Sequence, residues 1–227
     1  MANRPIYLPL TSGKSLVREL SMEFKWHAGL SVSQKQKSIR SLHDAVAAKI
    51  NSTEILEISS KSENEIGRLL SAFTLKYTLP SGVLCTVECA FQGSKVFRSG
   101  GPYTDIYGLN SRAAKKDERL GNSGSLIAFD LESERWPLEP KTCFYDWLYI
   151  TALHQNIRLR EEVLRYGAFS DIEFNPKKSI NCQAQSAARY VALWQRGQIE
   201  RVLSDKDFFL STYSKSATPQ LQGNLFD

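Results

Sequence analysis

The sequence is poor in the residues that most often bind metals or form disulfides, with four cysteines and three histidines among 227 residues. No two cysteines form a Cys-x-x-Cys pair, and no histidine spacing matches a zinc site, so no metal is indicated. A Gly-x-Ser-x-Gly elbow, a phosphate-binding P-loop and a dinucleotide glycine fingerprint are also missing. Any chemistry must therefore come from carboxylates, amines and hydroxyls, and we expect no cofactor.

Long apolar runs are absent too, which argues against a membrane-spanning helix. The first residues, Met-Ala-Asn-Arg-Pro, lack the apolar core of a signal peptide, so we expect a cytoplasmic protein. The net charge of +5 is modest, and the basic clusters at 35–40 and 112–119 are either phosphate contacts or ordinary solubility charge. A hydrophobic content of 42% predicts one sizeable α/β domain, alone or with an extension.

Periodicity and turn residues divide the chain into three parts. Residues 1–53 form an N-terminal extension packed on the core, with a helix from a Ser33 cap to about Lys49. Residues 54–210 form the core α/β domain, and residues 211–227, rich in Ser, Thr and Gln, form a flexible tail.

Within the core, short strands alternate with helices. The predicted strands cover 54–59, 73–79, 83–85, 125–131 and 170–174. The predicted helices begin at the Thr86 cap, near 111, at the Thr142 cap, and at 183.

Residues 86–95 carry the strongest signal in the chain. The helix that begins after Thr86 is predicted to carry both Glu88 and Lys95 and to stop before Gly100. The two residues then share one face, because seven residues at about 100° each complete nearly two turns. Gln92 lies near the centre of that face. Spacing alone leaves two interpretations open: a solvated face with Phe91 as the core contact, or a functional column of a carboxylate, an amide and an amine.

The segment Thr86-Val-Glu88-Cys-Ala-Phe91-Gln92-Gly-Ser-Lys95 resembles the Glu-centred helix motif of the NADAR family, the NAD- and ADP-ribose-associated proteins. Further similar segments follow in the family's order over about 55–203, namely 70–73, 144–153 and 159–173. The segments 58–62, 100–103 and 171–176 look closest to the branch of antitoxins paired with DarT, a DNA-modifying ADP-ribosyltransferase toxin. This resemblance implies one α/β (α+β) domain of the NADAR type, with helices packed around a small sheet.

The resemblance also implies an activity: cleavage of an N-glycosidic bond that releases ADP-ribose from guanine in DNA, with a DarT-type toxin as the cognate partner. Lys95 is then the nucleophile and Glu88 the general acid/base. A lysine attacks only when neutral, and an ionised Glu88 favours the charged form, so Lys95 must be desolvated or must pass its proton to Glu88. If Lys95 stays charged, it only binds the ribose or stabilises the departing base.

A second acidic element, Asp171-Ile-Glu173, alternates as a strand, which predicts both carboxylates on one face. Glu173 occupies the place of the family's acidic strand residue, so we expect it to hold ribose hydroxyls or a water; the alternative is an ion pair with Lys177 or Lys178. Asn181 and Gln183 begin the last long helix, whose N–H groups suit a phosphate. Here Asn-Cys-Gln-Ala replaces the family's Gly-rich Trp segment, which leaves the pyrophosphate contacts open.

Other candidate substrate-binding residues are aromatic rings and a hydroxyl-and-amine loop, each of which is alternatively structural. They are Phe73, Tyr103, Trp136 and Trp147 for stacking, and Ser60 and Lys61 for phosphate.

The end of the chain, Gln222 to Phe226, has the Gln-x-x-Leu-Phe form of peptides that dock on the bacterial sliding clamp. Two rival functions remain open. One is an N-glycosidase acting on ribosylated intermediates of riboflavin metabolism, as related proteins are, and the other is an antitoxin that binds ADP-ribose or the toxin without turnover.

Overall fold

The first two strands, β1 (Ala2–Pro9) and β2 (Val17–Phe24), form an antiparallel hairpin. In the computed structural model, which describes residues 1–51 and 54–214, β1 also pairs antiparallel with β9 (Ala168–Ser170). On its other side β9 pairs in parallel with β3 (Ile55–Glu57), so the sheet has the order β2-β1-β9-β3. The N-terminal hairpin thus shares a sheet with later strands, while the domain boundary at residue 53 stays a prediction.

One face of this sheet is covered by helix α1 (Val32–Ile50), which buries Ile39, Leu42 and Val46. Strand side chains alternate between two clusters: Ala168 packs with α1, whereas Phe169 joins the main core on the opposite face. The cap of α1 is Ser31, whose hydroxyl accepts a hydrogen bond from the Gln34 N–H at 3.3 Å. The prediction that Ser33 caps this helix is therefore wrong by two residues.

The opposite face is covered by α8 (Gln183–Gln195), which packs on β1 and β9, and α6 (Cys143–Gln155) packs on α8 in turn. The small residues Ala184, Ala187 and Ala188 are fully buried and allow α8 to lie close to α6 and β1. The predicted start of α8 at residue 183 is confirmed.

Two smaller sheets complete the domain. β4 (Lys76–Thr78) and β5 (Leu84–Thr86) form a hairpin that leads into α3 (Val87–Gly93). The other small sheet has the antiparallel order β6-β7-β8. Its strands are β6 (Lys95–Phe97), β7 (Leu126–Leu131) and β8 (Glu134–Trp136).

The remaining helices are short, and none of the helices in the described residues combines the length and apolarity needed to cross a bilayer. They are α2 (Glu65–Leu69), a 3-10 helix (Thr104–Gly108), α4 (Ser111–Lys115), α5 (Arg119–Asn122), α7 (Ile157–Val163), α9 (Ile199–Ser204) and α10 (Lys206–Ser214).

Helix α3 ends at Gly93, so the prediction of one helix through Lys95 is wrong. The Ser94 hydroxyl donates to the Ala90 carbonyl at 2.7 Å, and the Ser94 carbonyl accepts from the Asp130 N–H of β7 at 2.7 Å. A Cβ atom on Gly93 would lie 2.4 Å from the Tyr107 ring, so packing allows only glycine there. Contacts with distant residues therefore end the helix and direct Lys95 into a strand.

The predicted strand at 170–174 is also wrong, because β9 ends at Ser170. The Asp171 Oδ1 atom accepts hydrogen bonds from the N–H groups of Glu173 at 3.0 Å and Phe174 at 3.1 Å. This pattern is a turn closed by an aspartate side chain. Asp171 and Glu173 consequently do not share a strand face.

Candidate active site

A cleft of about 990 Å³ opens between α3, β6, the segment before α6, and the segment that precedes α8. Eight of the predicted site residues line it: Phe73, Glu88, Gln92, Lys95, Asp171, Glu173, Asn181 and Gln183. Residues far apart in sequence thus meet in one cavity large enough for a dinucleotide-sized ligand.

Glu88 lies in the first turn of α3, where its side chain is buried and only 6% exposed. Thr86 caps the helix, as predicted, by accepting from the Cys89 N–H at 3.3 Å. The Gln92 amide nitrogen donates to Glu88 Oε1 at 2.9 Å, which assigns nitrogen and oxygen in that amide because an ionised carboxylate can only accept. Glu88 is therefore held in place by a neighbour one helical turn away.

Lys95 begins β6 and is half-buried, with its Nζ atom 4.9 Å from the centre of the Phe91 ring. It forms no ion pair within the described part of the chain. Burial lowers the pKa of Lys95; the Glu88 carboxylate raises it and the Lys115 ammonium lowers it further, so the net direction is downward. Desolvation thus outweighs the attraction of Glu88, and the amine is neutral more often than an ordinary lysine.

Aromatic rings form the wall next to Lys95. Phe91 contacts Tyr145 edge-on with ring centres 5.2 Å apart, and Phe129 stacks on Phe144 at 4.6 Å. These low-polarity surfaces explain why water is partly excluded around the lysine nitrogen. Sequence reasoning missed Tyr145 and Phe144 as cleft residues, because α6 is buried on nearly all sides and shows no apolar stripe that distinguishes cleft from core. It also missed Phe129 of β7.

Asp171 lies on the opposite wall and is buried. Burial raises its pKa well above the ordinary range, and the charge of nearby Glu57 adds to the effect. Glu57 is itself buried, accepts from the Ile172 N–H at 2.8 Å, and has its pKa raised by burial. Because the Asp171 and Glu57 carboxyl groups are buried close together, ionisation of both at once is unfavourable.

Gln183, at the start of α8, uses both ends of its amide inside the protein. Its oxygen accepts from the Ala72 N–H at 2.8 Å, and its nitrogen donates to the Ile58 carbonyl at 2.7 Å. Asn181 is half-buried and lines the cleft beside it. The side chain of Cys182, at the N-cap position, makes no capping hydrogen bond to α8.

Glu173 lies at the cleft mouth with an exposed side chain that pairs with Lys35 of α1 at 3.0 Å. The carboxylate thus forms an ion pair, but not with Lys177 or Lys178. Lys35 Nζ also lies 5.0 Å from the centre of the Trp26 ring. The N-terminal basic cluster consequently reaches the rim of the cleft.

Five other predicted site residues lie outside the cleft lining. Trp136 is fully buried against Trp147, with ring centres 4.8 Å apart. Tyr103 packs under the Arg119 guanidinium at 4.5 Å. Ser60, exposed, and Lys61, half-buried, lie in the turn after β3.

Four lysines surround the opening, and sequence reasoning singled out none of them as a cleft residue: Lys115, Lys141, Lys177 and Lys178. Lys115, whose Nζ is 5.1 Å from the Phe73 ring centre, belongs to the predicted basic cluster at 112–119. Within residues 1–51 and 54–214, no group of three or more His, Cys, Asp or Glu side chains is arranged to hold a metal ion.

Comparison with known families assigns the chain to the NADAR class. The matching model is that of the DarT1-associated NADAR antitoxins, and it covers residues 2–222. The chain therefore belongs to the DarT1-associated NADAR antitoxin family, which confirms the resemblance drawn from residues 86–95. A search of curated proteins found no match.

Proposed function

We propose that this protein is a hydrolase that removes ADP-ribose from guanine bases in DNA and so reverses the modification made by a DarT-type toxin. The observation that carries the proposal is that Glu88 and Lys95 open into the same cleft, with Lys95 half-buried against Phe91. Membership of a toxin-associated NADAR family supports both the ADP-ribosyl substrate and the antitoxin role.

The first chemical step breaks the bond between the ribose anomeric carbon and the base nitrogen. Lys95 passes a proton to the Glu88 carboxylate as substrate enters, and its neutral amine attacks the anomeric carbon. Glu88 then returns the proton to the leaving nitrogen, so that the carbon–base bond breaks as the carbon–Nζ bond forms. Positive charge that develops on the sugar lies next to Glu88.

The second step releases the sugar. The ribose ring opens to a protonated imine on Lys95, water adds to the imine carbon, and the carbon–Nζ bond breaks to give free ADP-ribose and the lysine amine. A direct route uses the same residues: Glu88 stabilises the cationic sugar, water attacks it, and Lys95 stabilises the departing base.

The opposite wall supports binding of the remainder of ADP-ribose. Asn181 and the uncapped start of α8 offer polar groups to a pyrophosphate, and Lys177 and Lys178 add positive charge nearby. Glu173, at the mouth, is suited to holding a ribose hydroxyl or a water.

The test is the release of ADP-ribose from an oligonucleotide ADP-ribosylated on guanine, followed by mass spectrometry, with borohydride added during turnover. We expect a reduced sugar adduct on Lys95. Lys95→Ala should abolish both adduct and release, whereas Lys116→Ala, a change of an exposed lysine outside the cleft lining, should leave both intact.

Each alternative has its own outcome. Release without an adduct in wild type identifies the direct route, and a preference for ribosylated pyrimidines over the modified oligonucleotide would replace the proposal with the riboflavin-pathway N-glycosidase. Toxin protection that survives Lys95→Ala would identify a binding antitoxin.

The proposed partners are ADP-ribosylated DNA and the cognate DarT-type toxin. Residues 211–214 of the predicted flexible tail at 211–227 belong to α10. The rest of that tail, with the predicted sliding-clamp segment at 222–226, lies outside the described residues. A pull-down with the clamp before and after deletion of residues 222–227 tests that interaction.

A further inference from the structure

Two polar groups in the cleft near Glu88 have no hydrogen-bond partner among the described residues and take no part in the steps above. Tyr145 lines the cleft at 6% exposure, and its hydroxyl makes no hydrogen bond within the described residues. The Gln92 Oε1 atom is buried and likewise without a hydrogen-bond partner. Because the Gln92 oxygen is buried, leaving it unpaired costs free energy that a donor on a ligand would recover. The Tyr145 hydroxyl lies in the same cleft and is free to bind a second ligand atom.

The two groups differ in hydrogen-bonding character. Because the Gln92 nitrogen is bound to Glu88, its oxygen is the end left over and can only accept. Burial raises the pKa of Tyr145 well above the ordinary range, and the Glu88 charge adds to this, so the phenol keeps its proton and donates. Near Glu88, the cleft thus offers one donor, the Tyr145 hydroxyl, and one acceptor, the Gln92 oxygen.

The surfaces around this pair are flat and apolar. Phe91 contacts the Tyr145 ring edge-on, and the stacked rings of Phe129 and Phe144 continue the same wall. Such surfaces suit a planar heteroaromatic ring better than a sugar or a phosphate.

We propose that Tyr145 and Gln92 form a base-specificity subsite, which selects a base that carries a keto oxygen next to a ring N–H, as guanine and hypoxanthine do. Tyr145 donates to the keto oxygen, and the Gln92 carbonyl accepts from the ring N–H. Adenine presents a bare ring nitrogen at the second position, so its lone pair faces the Gln92 oxygen without a proton between them. The inference rests on the proposed function, because it assigns the leaving base to this end of the cleft.

The test is competition between free bases for the wild-type protein in the presence of ADP-ribose, measured by ligand-observed nuclear magnetic resonance. We expect guanine and hypoxanthine to bind about tenfold more tightly than adenine, the size of one good base-edge contact. Tyr145→Phe and Gln92→Met should each reduce this preference severalfold.

The matched control is Tyr149→Phe, one turn further along α6. The Tyr149 hydroxyl donates to the Leu70 carbonyl at 2.7 Å inside the core, so this variant should lose thermal stability and keep the base preference. Tyr145→Phe removes no protein hydrogen bond and should melt at the wild-type temperature.

Equal binding of adenine to wild type, or a full preference retained by Tyr145→Phe, overturns the subsite. If ADP-ribose release is absent but the preference exists and Tyr145→Phe removes it, the proposed reaction fails and the subsite stands.

Discussion

The two walls of the cleft carry similar residue types but differ in how many of their polar groups are already used. On the α3–β6 wall (Glu88, Gln92, Lys95), the lysine has no ion pair among the described residues and the Gln92 oxygen has no partner. On the 171–183 wall, the Asp171 Oδ1 atom closes a turn and the Gln183 amide bonds the backbone at both ends. The α3–β6 wall thus leaves polar groups free for a substrate, whereas Asp171 and Gln183 on the other wall hold the fold together.

The largest effect should come from Glu88→Gln. The new amide oxygen can still accept from Gln92, so the geometry survives while the acid/base function is lost, and the rate of ADP-ribose release should fall by about 10²–10⁴-fold. Single-turnover kinetics measures this. Glu139→Gln, a change at an exposed carboxylate of the cleft mouth, is the control, and equal losses in the two variants would contradict the role of Glu88.

Asp171 should matter more for stability than for chemistry. Asp171→Ala removes two hydrogen bonds to the backbone and should lower the free energy of unfolding by about 1–3 kcal/mol. Asp171→Asn keeps an oxygen that can accept both bonds, so the turn should persist.

The stability of Asp171→Asn relative to wild type should depend on pH. Because the folded-state pKa of Asp171 is raised, its stabilising contribution is complete below the unfolded pKa and is lost as pH rises toward the folded pKa. Asp171→Asn should therefore melt like wild type in acid and at a higher temperature at neutral pH. Thermal melts of both proteins from acid to neutral pH measure this difference. A lower melting temperature for Asp171→Asn at neutral pH would contradict a raised pKa of Asp171 in the folded state.

Lys115→Met should shift the pH profile of the reaction. The Lys115 charge contributes to the lowered pKa of Lys95, so its removal raises that pKa and moves the rising limb of kcat/KM to higher pH. Lys116→Met should leave the limb unmoved. A shift toward lower pH would show that Lys95 is not the titrating nucleophile.

Glu173→Gln should have the smallest effect. The Lys35 partner is mostly buried, but the Glu173 side chain is 41% exposed, so the pair should contribute no more than about 1 kcal/mol to folding. We expect a modest rise in KM and a far smaller loss of kcat than in Glu88→Gln. A loss of kcat as large as in Glu88→Gln would show that Glu173 contributes to the chemistry as much as Glu88 does.

Local signals predicted much of the α3–β6 wall and less of the other. The Thr86 cap and Glu88 in the following turn are set by neighbours within one helical turn, and both were recognisable. The turn at Asp171 was missed because Asp-x-Glu alternation is typical of a strand, whereas the side chain bonds its own backbone. Tyr145 was missed because a helix buried on all sides gives no amphipathic signal.

The sequence by itself determined the family, the Glu88 motif and the course of α8, because each depends on residue identity in order or on periodicity along one element. Only the tertiary structure decided that Lys95 starts a strand, that Phe91 desolvates it, and that Glu173 pairs with Lys35. These outcomes depend on close packing at Gly93 and on side chains that approach from distant parts of the chain. Desolvation and long-range contacts are properties of the folded packing, and no local pattern encodes them.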